Sequence, residues 1–490
     1  MLTAVVFLPL VGALSIALFF RTPRLVRLFA SCISLATFII SIVVFVTYDV
    51  ESGGFQLVQQ YIGWIPFFDI QYHLAIDGLS APLVLLTGLL GLAAVFSSWS
   101  VSSRHKEYFT WLLIMQTAVM GVFTAQDFVL FFVFWELELL PMYFLISIWG
   151  SGRKEYSAMK FVIFTLAGSA FMLLGILALG LSSGSFDMTK LVGLDQSLLV
   201  IPGQVIFALF FIAFAVKLPI WPLHTWLPDA HTDAPTAVSV MLAGVLLKMG
   251  GYGLIRINLG ILPDVAHGAS LIMAVLAIVG IIYGAMVTIR QTDLKRLVAY
   301  SSVSHMGYVL LGIASIGSSM GPHTDVGVTG ASLQMFAHGT ITGLMFVSVG
   351  LIYDRTHTRH IPDLGGLSGK IPLIAMALFI AGLGSLGLPS TSGFVGELMI
   401  FLGTFQVWPI FTILAVFGIL IAAGYILWTF QRTLFGPSIP RWQTLTDASP
   451  VEMVAPVVLS ISILIVGLYP SVLVDVFGVG IGEILGSVTR

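Results

Sequence analysis

Five ionisable side chains stand inside long apolar runs of this 490-residue sequence: Glu136 and Glu138 in LFFVFWELELLPMYFLI, Lys217 in FAVKLPIWPLHTWLPDA, Lys248 in LAGVLLKMGGYGLIR, and Glu397 in GFVGELMIF. An ionisable group at the centre of a membrane helix costs about 2.5–3.5 kcal/mol on the insertion scale, so each marks a candidate for moving charge across a bilayer. Glu136 and Glu138 are two residues apart and point about 200° away from each other on a helix, so at most one of them faces a given partner. Glu136, at mid-span, is the natural partner for Lys217. Glu138 is left between a carrier and a packing contact.

A carboxylate brought to about 4 Å from an ammonium contributes some 4 kcal/mol at an effective dielectric near 20. That is comparable with the cost of desolvating the lysine, so moving the partner changes whether Lys217 holds its proton. The bland alternative for Lys217 and Lys248 is that each extends to the membrane surface on its four-carbon stem. Apolar residues on both sides of Lys217, and the mid-depth position of Lys248, argue against it. Glu397 is the lone acid of its run, and a purely structural role is the alternative there.

Histidines titrate near neutrality and could join these groups. His224 follows Lys217 by seven residues, His305 lies in YSSVSHMGYVL, and His338 lies in QMFAHGTITG. Each is equally compatible with a hydrogen-bonded packing role. His231, with Asp229 and Asp233, could line an entrance, but the polarity of LPDAHTDAPTA favours a solvated loop.

The elements that position these residues are membrane helices. Hydrophobic residues make up 58% of the chain and charged residues 9%, against about 45–50% and 25% in soluble domains; the mean hydropathy is +1.04. Twenty-one Lys and Arg with 23 Asp and Glu cannot wet a soluble surface of this size, and no basic patch suits nucleic acid. The single cysteine, Cys32, allows no intrachain disulfide and no thiolate cluster for zinc or iron–sulfur; no metal site is expected.

A span needs about 20 apolar residues. Such runs fall at 2–20, 25–47, 75–100, 108–125, 127–149, 158–181, 203–227, 235–257, 268–289, 298–316, 328–353, 371–404, 409–433 and 452–474, which predicts an all-α polytopic membrane protein of about 14 transmembrane helices. The opening MLTAVVFLPLVGAL has no charged leader and reads as a retained first span. Odd-numbered loops hold Arg21, Arg24, Arg27, Arg104, Lys106, Arg153, Lys154, Lys160, Arg290, Lys295, Arg296, Arg355, Arg359, Lys370, Arg432 and Arg441. Even-numbered loops hold only Lys190 and Arg256, and Arg490 ends the chain. By the positive-inside rule the odd loops face the inner compartment and both termini the outer, periplasmic or lumenal, side.

Runs seven and twelve are interrupted, by Pro219 with Pro222 and by Pro389. Proline removes a helix bond, and in lipid the freed groups are tolerated only where protein or a wet cavity satisfies them. Paired breaks 170 residues apart point to two inverted five-helix repeats. His305 falls at the repeat-equivalent place of Glu136. The expected divisions are 1–107, a three-helix segment; 108–257, helices 4–8; 258–433, helices 9–13; and 434–490, a last helix and tail. In that tail Gly478, Gly482 and Gly486 form a small-residue face suited to packing. GLGSLG at 382–387 matches a dinucleotide fingerprint but lacks the strand–turn–helix context and is rejected.

The stretches FFVFWELELLPMYFLISIWG, KLPIWPLHTWLPDAHTDAPT, LAGVLLKMGGYGLIR, DLKRLVAYSSVSHMGYV, IYDRTHTRHIPDLGGL and GFVGELMIFLG together resemble the antiporter-like subunit M of NADH–quinone oxidoreductase, respiratory complex I. The same family includes mitochondrial NADH dehydrogenase subunit 4 and its counterpart in the photosynthetic NDH-1 complex. WLPDAH is shared by related antiporter subunits; YDRTHTR and GELMIF point to subunit M. The doubled WELEL resembles the photosynthetic type.

The resemblance implies fourteen helices with helices 7 and 12 broken, and a proton path on Glu136, Lys217, Lys248 and Glu397. It also implies a translocase subunit without redox chemistry or cofactor of its own, with NADH, FMN, iron–sulfur clusters and quinone on other subunits. Neighbouring antiporter-like subunits, the bilayer and protons are then its partners, and a bacterial inner membrane or a thylakoid its location. A subunit of a multisubunit Na⁺/H⁺ antiporter, or a passive membrane arm of a membrane-bound hydrogenase, are the alternatives.

Overall fold

A computed structural model describes residues 1–66, 69–193, 196–317, 322–437 and 439–486; Arg490 and the last residues of the glycine-bearing tail lie outside that set. The helices are α1 (Leu2–Phe19), α2 (Pro23–Thr47), α3 (Ser80–Ser97), α4 (His105–Thr124), α5 (Phe128–Leu137), α6 (Leu139–Trp149), α7 (Lys154–Ser183), α8 (Gly203–Lys217), α9 (Trp226–Asp233), α10 (Thr236–Met241), α11 (Leu247–Gly253), α12 (Pro263–Ile289), α13 (Leu294–Ile313), α14 (Pro322–Thr356), α15 (Pro372–Ser385), α16 (Ser392–Phe405), α17 (Pro409–Thr433), α18 (Val454–Leu468) and α19 (Ser471–Gly486). Every one of the fourteen apolar runs falls on helix. Among the described residues ten helices are long and apolar enough to cross a membrane, or eleven if α18 and α19, bent by 72°, form one span. Three runs remain: the one on α4, and the two broken ones, whose halves α8, α15 and α16 are too short to cross alone.

Burial sorts the helices into a centre and a rim. The rods Thr236–Leu259 and Asp325–Thr356 are buried throughout their apolar windows, whereas α2 and α17 are buried over 28% and 33% of theirs. The first central rod joins α10 and α11 through a π-helical turn at Leu242–Leu246 and leaves α11 through a second at Leu254–Leu259. Such turns widen the helix and free backbone groups, and they recur at functional sites. Lys248 stands between the two.

Both helix breaks are present. α8 stops at Lys217 because Pro219 has no N–H; Leu218 N donates to Phe214 O at 2.7 Å, and Ile220 N takes the carbonyl of Ala215 at 2.9 Å. Between α15 and α16 the chain turns through Gly387 at φ 67°, a conformation that glycine adopts without penalty.

Two features depart from the sequence reading. Residues 56–65 and 70–76 form an antiparallel hairpin, β1 (Gln56–Ile65) and β2 (Ile70–Ile76), pairing Gln60 with His73 and Tyr61 with Tyr72. A search for 20-residue apolar runs passes over strands this short. The hairpin is tied to the site-bearing helices: Asp127 caps α5 through Val129 N and Leu130 N at 2.9 and 3.1 Å, and also accepts from Gln71 N at 3.0 Å. Burial acts to raise the nearby Asp187 carboxyl, but contacts from His73 and Thr189 together outweigh it and hold the carboxyl below its ordinary range.

The tail glycines are the second departure. A Cβ added at Gly478, Gly482 or Gly486 meets nothing within 4 Å, whereas Gly480 lies against Gly78. The close packing of α19 within this chain therefore uses the opposite face.

Glycine also brings the two lysine-bearing elements together. A Cβ at Gly250 would stand 2.7 Å from Leu218 N and 2.8 Å from Phe214 O, both backbone atoms at the end of α8. Gly250→Ala is expected to destabilise the protein by about 1–3 kcal/mol, and Gly478→Ala to change stability by less than about 0.5 kcal/mol. Thermal unfolding of the purified protein in detergent, comparing the two variants, checks this.

Candidate functional site

Lys217 is the last residue of α8 and is 1% exposed. The break that ends the helix sets this residue at the negative end of the helix dipole. Rings of Trp135 and Phe161 lie 5.3 and 5.6 Å from Nζ. Its carboxylate partner is Glu138, 0% exposed, whose Oε1 accepts from Lys217 Nζ.

The sequence reading named Glu136 as that partner, and the geometry corrects it. Glu138 occupies the single-residue step between α5 and α6. Glu136, half-buried, stays within electrostatic range of Lys217 and lies against Ser169, which accepts from Trp135 Nε1 at 3.2 Å. The rotation argument stands, since only one of the two acids touches the lysine. Which one depends on where α5 pauses.

A second cluster gathers at mid-chain. Lys248 Nζ donates to Ala243 O, a carbonyl in the first π turn, and lies 2.7 Å from His338 Nδ1. The His338 ring is 5.6 Å from that of His305. His305 Nε2 meets Ser385 Oγ at 3.1 Å, and its Nδ1 lies 3.5 Å from Glu397 Oε1. Gln334 Nε2 donates to the same carboxylate oxygen at 3.4 Å. Lys248, His338, His305 and Glu397, from four separate helices, thus form one buried row.

The two clusters share a plan. Lys217 closes α8 and faces Glu138, 79 positions earlier; Ser385 closes α15 and faces His305, 80 positions earlier.

His224 is also buried, in the break after Lys217, its ring edge-on to Tyr283 at 5.1 Å and its Nδ1 without a hydrogen-bond partner. It stands apart from the Lys248 row. His231 overturns the expectation of a solvated loop. Residues 226–233 form α9, and the His231 ring is fully buried, stacked on Phe346 at 4.6 Å with neither nitrogen hydrogen-bonded. The flanking acids hold α9 in place: Asp229 meets Lys160 at 2.7 Å, and Asp233 accepts from Ser157 Oγ at 2.6 Å.

Two charged groups escaped the sequence reading. Lys295, counted as an orientation marker, is 4% exposed and donates to Ala234 O at 2.6 Å, close enough that His231 feels both its charge and that of Lys248. Arg256, assigned to a loop, is buried and paired with Asp77. Their signal was position: Arg256 sits just inside the end of run 235–257 and Lys295 one turn before run 298–316, where a charge looks like a boundary.

Unpaired, a buried charge costs several kcal/mol, and removing one member of a buried pair costs about 3–5 kcal/mol. Glu138→Gln is expected to lower proton translocation more than Glu136→Gln, because only the first strips Lys217 of its direct counter-charge. Proton uptake by closed membrane vesicles carrying each variant measures the difference; equal loss from both would reject the ranking.

Residues 125–422 match the family described as NADH:quinone oxidoreductase/Mrp antiporter, TM. The chain is 43% identical to NAD(P)H-quinone oxidoreductase chain 4 1 of Synechococcus elongatus, covering 98% of this chain and 90% of that one. It is 42% identical to chain 4 2 of Thermosynechococcus vestitus, again over 98% and 90%. Among solved structures it is similar to a chain of respiratory complex I from Thermus thermophilus with bound NADH (TM-score 0.89, 28% identity, 99% and 100% covered). The Mrp complex of Dietzia sp. DQ12-45-1b shares the fold (TM-score 0.86, 21% identity, 99% and 97% covered). Fold, buried charges and relatives agree: the chain belongs to the NADH:quinone oxidoreductase/Mrp antiporter family of membrane subunits.

Proposed function

We propose that this antiporter-like subunit translocates protons within an NADH- or ferredoxin-quinone oxidoreductase, with the redox cofactors and quinone carried by other subunits. The observation that carries the reading is the buried row Lys248–His338–His305–Glu397 beside the Glu138–Lys217 pair. Titratable groups at this depth are costly, and a row of them in near contact is what proton transfer through an apolar bundle requires.

Protons enter from the basic-residue side near α5, α8 and α9 and load Lys217. They pass to Lys248 through water and histidine, with His224 and His231 at the approach, and leave by way of Glu397. Separating Glu138 from Lys217 removes some 4 kcal/mol of attraction at an effective dielectric near 20. This is enough to release a proton toward Lys248, and Glu136 holds residual charge nearby. Electron transfer elsewhere in the complex drives the separation.

The matching Glu138–Lys217 and His305–Ser385 contacts support two inverted units, 108–257 and 258–433, flanked by 1–107 and 434–490. The basic-residue count supports placing the odd loops inside and both termini outside, in a thylakoid or bacterial inner membrane. The likeness to cyanobacterial relatives supports partners drawn from neighbouring membrane-arm subunits. A cation/proton antiporter subunit is less favoured, because its support is a shared fold.

Lys217→Ala, Lys248→Ala and Glu397→Gln are each expected to lower the number of protons moved per quinone reduced in closed vesicles while the complex still assembles. Wild-type pumping from Lys217→Ala would reject the proposal.

A further inference from the structure

The path above leaves the Arg256–Asp77 pair without a role. Lys248, Tyr252 and Arg256 follow one another at four-residue intervals along the central rod, each step rising about 6 Å. Arg256 Nε donates to Tyr252 Oη at 3.3 Å, and its Nη2 donates to Asp77 Oδ2. The other oxygen of Asp77 accepts from Leu79 N at 3.2 Å and Ser80 N at 3.0 Å.

Beyond this pair lies a cavity of about 330 Å³ whose walls include Asp77, Gln126, Thr189, Val192, Arg256 and Glu483. Val192 is 41% exposed, so the cavity reaches the surface on the hairpin side, the side placed outside above. Gln126 is 0% exposed, yet its Oε1 has no hydrogen-bond partner among the described residues. A buried amide oxygen is costly unless satisfied, and a polar cavity of this size has room for the waters that would satisfy it. The buried Tyr48 hydroxyl lies within reach of the charges of Asp77, Glu483 and Arg256.

We infer that this cavity is a second outer port, through which Lys248 exchanges protons with water by way of Tyr252, separately from the Glu397 exit. The inference rests on the proton-translocating reading. Lys248 gives its proton through water to the Tyr252 oxygen as the phenol passes its own proton outward; one bond to hydrogen forms for each one broken, and Tyr252 ends as it began. Arg256 keeps its charge throughout and fixes Asp77 at the cavity wall. Glu483 receives the proton and releases it as hydronium to the outer water.

The test uses the assembled complex in closed vesicles with the outer face exposed, in a Cys32→Ser background. Val192→Cys at the cavity mouth is treated with a membrane-impermeant, positively charged thiol reagent, and Tyr252→Phe is measured separately. The expected result is outside labelling of Cys at 192, with protons moved per electron falling on labelling toward the value of Lys248→Ala. Tyr252→Phe is expected to fall likewise. Because labelling follows assembly, it decides the matter even if Tyr252→Phe assembles poorly. No labelling from outside, or an unchanged ratio after labelling while Lys217→Ala and Lys248→Ala lose theirs, overturns the port and leaves translocation standing. Wild-type ratios from both lysine variants overturn translocation and the port with it.

Discussion

A lysine ammonium inside an apolar bundle persists only where something nearby carries the opposite charge or accepts its hydrogens. The centre of this protein is arranged around that requirement at two places. Lys217 meets a carboxylate and the carbonyl end of a broken helix; Lys248 meets a π-turn carbonyl and a histidine. The first π turn supplies Lys248 with a backbone acceptor that an uninterrupted helix would have consumed in its own ladder.

The close approaches follow from the same need. Gly250 lets α11 press against the end of α8, and Gly396 lets α16 press against Gln334 of α14, the residue that donates to Glu397. Gly387 carries the turn over which Glu397 sits: a Cβ there would lie 2.6 Å from the Glu397 carboxylate. The hairpin and Asp127 fix the start of α5, and thereby the height of Glu138. Structure far from the lysines sets the distances on which their charge states depend.

Much of this was legible in advance. Apolar run lengths located the long membrane helices, prolines located both breaks, and charges inside apolar runs located Lys217, Lys248 and Glu397. Glu136, Glu138 and the histidines were located as candidates without their contacts. The hairpin was missed because its strands are shorter than any membrane span. His231 was misjudged because a polar heptad resembles a loop until its helix is seen packed on Phe346. Lys295 and Arg256 were taken for boundary markers because a charge at the end of a run reads the same whether it faces water or a buried partner.

By itself, then, the sequence determined membrane residence, the segmentation and the identity of the titratable groups, since hydropathy, proline and charge act locally along the chain. Only the tertiary structure decided the pairings. Glu138 rather than Glu136 meets Lys217, His338 joins Lys248 to His305, and Asp77 holds Arg256 across a separation of 179 residues. Those choices turn on a one-residue pause between α5 and α6 and on how helices distant in sequence rotate against one another, and no local pattern encodes a rotation.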